Sequence, residues 1–175
     1  MMTGSVRDVA ATAAIFGFFA SVWFGWAQEC PPATWRPWLR TGSVLCLLVM
    51  VAGGVLTWMN RGAATAFDED TSKAFGLVVG LEVVLAGVGV AVLRAGVRRE
   101  LVPVWVALVV GLHLLPVAAL IAFPLIYLIG ALVTVAALAA VPVARSRSLP
   151  VSAVNGLGAG GVLLTGALVC LLVAF

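Results

Sequence analysis

The sequence predicts an all-α, polytopic membrane protein, a bundle of six transmembrane helices forming one domain over residues 1–175. Three observations carry that prediction. Hydrophobic residues make up 63% of the chain and charged ones 10%. The mean hydropathy is +1.21. The charges cluster in short segments that separate long apolar runs. A soluble domain of this size needs a polar coat, and ten Lys/Arg with seven Asp/Glu cannot cover so much apolar surface. The solvent is therefore lipid, and no soluble catalytic domain fits in what remains. The formal charge of +3 is no nucleic-acid signal, because the basic residues sit in loops at span ends.

The first span, 9–27, follows Arg7 and could pass for a signal peptide. It is too long for one, and Trp23, Phe24 and Trp26 crowd the region where cleavage would fall, so we read it as a retained helix. The second span covers 42–59 and the third 74–93. Residues 102–144 then carry no charge at all. As one helix they would measure roughly 60 Å, about twice the hydrocarbon thickness. They must fold back, and "AFPL" at 122–125 is the expected turn, because Pro124 cannot continue a helix. This gives spans at 102–121 and 125–144. The sixth, 152–174, starts just after Pro150.

The loops sort into two sides. One holds Arg36, Arg40, Arg94, Arg98, Arg99, Arg145 and Arg147; the other holds Arg7, Arg61 and Lys73 with the acidic "FDED" at 67–70. The excess of basic residues places the first side in the cytoplasm and both termini outside. The stretch "TWRPWLR" at 34–40 reads as an interface anchor, with indole rings at headgroup level and guanidinium groups on lipid phosphates. The "DED" charges favour the start of the third helix, with Thr71 or Ser72 as its cap. The preference for Arg over Lys amid much Ala, Val and Gly suggests a GC-rich bacterium, and so a bacterial inner membrane.

Two titratable residues interrupt the apolar runs. Glu82 lies in "VVGLEVVLAG" and the only histidine, His113, in "VVGLHLLP". Glu82 is nine residues from Lys73, and His113 is about nine before the turn, so both lie about 13 Å below the same surface. The third and fourth helices are joined by a short loop and should be antiparallel neighbours, so the two side chains can meet. A charge in mid-membrane is costly without a partner. In a dry site both groups are neutral; water reaching them favours the ion pair. Pro116 lacks an N–H, which leaves the Leu112 carbonyl without its helical donor beside His113 and kinks the helix. Tyr127, just past the turn, is placed to line an access route. Glu82, His113, Leu112, Pro116 and Tyr127 are thus the candidate binding residues. A neutral hydrogen bond that only fixes helix packing is the structural alternative.

On the third helix, Ala86 and Gly89 share the face of Glu82, while Gly76, Gly80 and Gly87 line the opposite one. Two small-residue faces predict packing on both sides. Gly158, Gly161 and Thr165 form a similar stripe on the sixth helix. Cys30, Cys46 and Cys170 never form a CxxC pair, and one His with one Glu makes an incomplete metal set, so neither a metal nor a cofactor is expected. No hydrolase, zinc-protease or phosphate-loop motif points to an enzyme.

The residues "GLE" at 80–82, "WVALVVGLHLLP" at 105–116 and "PLIYLIGAL" at 124–132 resemble a group of small bacterial multi-pass integral membrane proteins. The resemblance covers about a third of the chain. It implies an integral membrane protein and one pattern holding Glu82, His113, Pro116 and Tyr127, and it transfers no activity. The first functional expectation is a small transporter or permease whose Glu82–His113 pair binds a proton, cation or small polar solute. The second is a non-transporting binding, sensor or accessory subunit, and the third a membrane enzyme acting on lipid or quinone. Six helices make a thin bundle, so the expected partners are the lipid bilayer and a second copy or a larger membrane complex. No internal similarity links the two three-helix halves.

Overall fold

A computed structural model describes residues 5–175. Among the described residues, six helices are long and apolar enough to cross a membrane. They are α1 (Val6–Ala27), α2 (Arg36–Met59), α3 (Glu69–Ala95), α4 (Val102–Leu120), α5 (Pro124–Ser146) and α6 (Val151–Ala174). The protein is a multi-pass, all-α membrane bundle with no strand among the described residues.

The largest boundary shift is at α2, which begins at Arg36 behind a single 3-10 turn at Ala33–Trp35. The anchor stretch is thus the first turn of the span itself. Pro37 allows this, because the first helical turn needs no N–H from it. The start of α3 differs too. Asp68, and neither Thr71 nor Ser72, is its cap, with the Asp68 carboxylate accepting from the Thr71 N–H at 2.8 Å. Glu69 and Asp70 follow in the first turn, where the helix dipole favours negative charge.

The long apolar stretch does fold back near residue 122. Here α4 ends in a Schellman-type turn. The Phe123 N–H reaches the Ala118 carbonyl and the Ala122 N–H the Ala119 carbonyl, with Ala122 at φ 50°. Phe123 is not the exposed tip of this turn. Its ring is 1% exposed and belongs to the core, so Ala122 and Pro124 face outward instead. Helix α4 runs unbroken through Pro116, and α5 through Pro142.

In space the helices form a curved row in the order α2, α1, α6, α5, α4, α3. Consecutive in sequence, α2 and α3 therefore stand at opposite edges. The connection 60–68 spans the gap by crossing the start of α1. Asp8 is buried there and binds it twice: Oδ1 accepts from the Thr65 hydroxyl at 2.8 Å and Oδ2 from the Ala66 N–H at 2.7 Å. Arg7 donates to the Arg61 carbonyl at 3.3 Å.

The core sits where α1 packs on α2 and α6, and close approach there depends on glycine. A methyl group at Gly156 would lie 2.5 Å from the Trp23 carbonyl oxygen; one at Gly53 would lie 2.8 Å from that of Ala10. Helix α3 is the opposite case. It has no buried residue and packs on α4 alone among the helices. Only one of its two small-residue faces is packed: a methyl at Gly76, Gly80 or Gly87 would meet nothing within 4 Å. The expected packing on both sides fails because the row ends at α3.

Candidate functional site

The α3–α4 seam carries two polar contacts in depth order. At the end where the Arg residues gather, the Trp105 indole N–H donates to the Leu85 carbonyl at 3.0 Å, and its ring occupies the space that a side chain at Gly89 would need. Mid-span, Glu82 Oε2 lies 3.3 Å from His113 Nε2. Apart from the seam, near the start of α3, Phe75 stacks edge to face at 5.2 Å on Phe67 of the 60–68 connection. Because α3 has only this one neighbour, Glu82 is held by α4 or by nothing.

The register follows from local packing. Gly111, two residues before His113 and so about 200° round the helix, lets α5 approach the far side of α4. A methyl there would lie 2.7 Å from the Thr134 nitrogen. With α4 pressed on α5 through Gly111 and Gly130, the His113 side of the helix turns toward α3.

The histidine geometry assigns its protons. Nδ1 lies 3.1 Å from the Val110 carbonyl oxygen, which can only accept, so Nδ1 carries hydrogen. The remaining nitrogen, Nε2, faces the carboxyl group. One proton then has two places to sit: on Glu82, donated to a neutral Nε2, or on Nε2, donated to a carboxylate. Either state keeps the same heavy-atom arrangement. Both side chains are about one-sixth exposed, at 16% for His113 and 17% for Glu82. No other side chain among the described residues hydrogen-bonds to either group.

The remaining candidates stand apart from this pair. Leu112 is 54% exposed and Pro116 is exposed, so both side chains face outward from α4. The carbonyl that engages His113 is that of Val110, two residues before the Leu112 carbonyl expected from the proline rule. Tyr127 is exposed near the start of α5 and makes no hydrogen bond to the pair. On α6, Gly158, Gly161 and Thr165 line an apolar groove of about 430 Å³ against Leu128 and Leu132 of α5. Among the described residues no three His, Cys, Asp or Glu side chains gather as a metal set.

Three polar residues outside the expected set prove structural. Asp8 clamps the 60–68 connection, and Trp105 sets the α3–α4 spacing. Asn155 of α6 is fully buried, donating from Nδ2 to the Pro103 carbonyl of α4 at 3.1 Å while its Oδ1 has no partner. The available signal was the same as for Glu82: a lone polar residue inside a run of apolar and small ones.

No protein-family model, no curated protein and no solved structure matches the chain.

Proposed function

We propose that the protein is a small transporter or permease of a bacterial inner membrane, in which the Glu82–His113 pair takes up and releases a proton, a small cation or a polar solute. The observation that carries this reading is the hydrogen bond from His113 Nδ1 to Val110, which leaves Nε2 and Glu82 Oε2 to share a single proton. An ionisable pair inside a span is costly to keep, and function is the usual reason for keeping one. The Arg-rich ends of α2, α3, α4 and α5 support an orientation with both termini outside. A reporter fused after Phe175 should read as external; a cytoplasmic signal rejects the orientation.

The second reading is a non-transporting binding, sensor or accessory subunit. It draws support from the open row: α2 and α3 stand at its two edges, so one chain encloses no path between them. Under the first reading a second copy must complete the path; under this one the exposed edge of α3 meets a different membrane protein.

The deciding variants are Glu82→Gln, His113→Gln and the double mutant, in sealed vesicles, with folded yield measured alongside pH-dependent uptake of protons or solute. A proton-sharing site predicts normal yield with uptake reduced about tenfold or more in each single mutant. The double mutant should fall no further, because the two residues act as one unit. Wild-type uptake in both single mutants at every pH rejects the site and leaves a packing bond.

A further inference from the structure

A second polar feature lies away from this pair. The ends of α1 and α3 and the starts of α4 and α6 surround a cleft of about 690 Å³, within the range of small-molecule sites. Its walls carry Glu29, Arg94, Arg99, Glu100 and Ser152, with Trp26 among the apolar residues between them. Two sequence-distant segments thus bring two basic and two acidic residues to one opening, and a third, the start of α6, completes its wall.

These charges do not cancel one another. Among the described residues the ion pairs are Lys73–Glu69 and His113–Glu82, so no pair within 4.0 Å joins the four residues of the cleft. Arg99 is nevertheless anchored: its Nε donates to the Arg94 carbonyl at 3.1 Å, leaving the two terminal nitrogens unengaged. Helix α6 begins on the same rim behind Pro150, with no side chain capping its first-turn N–H groups. Asn155, one turn below, ties this start of α6 to Pro103 and so holds two walls at a fixed distance. The cleft therefore offers guanidinium donors for an anion, that of Arg99 anchored, and separate carboxylates for a cation.

A ligand matching this lining carries both charges and an apolar continuation. The cleft opens at the ends of the spans, at the depth where indole and guanidinium groups meet lipid headgroups. We propose that it seats the headgroup of a zwitterionic phospholipid with a primary amine. Its phosphate is held by Arg94, Arg99 and the first turn of α6, and its ammonium by Glu29 and Glu100. A primary ammonium donates directly to carboxylates, which a trimethylated one cannot do.

Cys30 supplies the probe. It lines the cleft and is exposed, whereas Cys46 and Cys170 are buried, so a maleimide reports on Cys30 alone. In detergent-solubilised protein, short-chain phosphatidylethanolamine should slow labelling about tenfold, the effect of roughly 1.4 kcal/mol of discrimination. The phosphatidylcholine and phosphatidylglycerol counterparts should not. The pairs Arg94→Gln with Arg99→Gln, and Glu29→Gln with Glu100→Gln, should each abolish the protection, read as the ratio to that variant's own lipid-free labelling rate, while keeping the helical circular dichroism. If a pair fails to fold, the single changes Arg99→Gln and Glu100→Gln replace it, with the same expectation. The proposal is overturned if all three lipids protect equally or none does, or if protection survives both charge removals. Equal protection by soluble phosphoethanolamine at the same concentration also overturns it, since the occupant is then a soluble zwitterion.

Discussion

Helices α1 and α3 are both apolar spans with several small residues, yet they hold opposite places in the fold. Helix α1 is packed between α2 and α6, and its neighbours approach so closely that backbone meets backbone at Gly17, Gly53 and Gly156. Helix α3 buries nothing completely and touches one neighbouring helix, through Trp105 and His113, while its Phe75 stacks on Phe67 of the 60–68 connection. In lipid an exposed apolar face costs little, so helix position is decided by close packing and by polar contacts. The centre is held by many small contacts. The edge is held by a few specific ones, and the ionisable pair is among them.

A series of single glycine changes tests this contrast most strongly. Gly53→Ala should be the most damaging, because its methyl would lie 2.7 Å from the Ala14 nitrogen and 2.8 Å from the Ala10 oxygen, both backbone atoms that cannot move aside. A loss of about 1–3 kcal/mol or more is expected, read as a lower melting temperature and folded yield. Gly89→Ala should be intermediate, since the obstacle is the Trp105 side chain, which can rotate away at the cost of its bond to Leu85. Hydrogen exchange should then rise in α3 while α1 and α6 stay protected. Gly80→Ala should leave both measurements unchanged, because nothing lies within 4 Å. Equal damage at Gly53 and Gly80 would contradict the picture of a packed centre and an open edge.

The smallest effect concerns the first turn of α3. The Thr71 N–H bonded to the Asp68 carboxylate holds its pKa below the ordinary Asp range. A depressed folded-state pKa means that the stabilisation is complete above the unfolded value, about 4, and is lost as pH falls through the folded one. Exchange of the Thr71 amide should therefore accelerate below about pH 4, and Asp68→Asn should remove most of that pH dependence. Because Asp68 is fully exposed, the fraying should stop within the first turn and leave the α3–α4 seam intact. Loss of the seam under the same conditions would mean that α3 is anchored mainly by its cap.

The number of spans, the fold-back near residue 122 and the meeting of Glu82 with His113 were legible because each depends on distance along the chain. Apolar run length against bilayer thickness counts the helices, and equal residue counts from one surface set equal depths. Two neighbouring antiparallel helices then leave little freedom in where a polar side chain finds its partner. The order of the row was not legible. Periodicity marks small-residue faces on α3 without saying that one of them lacks a partner, because the same pattern serves a central helix and an edge helix.

The choice among polar groups also belonged to the tertiary structure. Pro116 pointed to the Leu112 carbonyl, but the His113 rotamer selects that of Val110. Asp8 gains its role only because the 60–68 connection crosses α1. Asn155 became a tie to Pro103 only once α4 and α6 were neighbours. The sequence by itself determined which segments must lie in lipid and at what depth their polar residues sit, since both follow from transfer free energy and helical rise. Only the packed structure decided which of those residues face one another, because lateral order in a membrane depends on side-chain fit between helices distant in sequence.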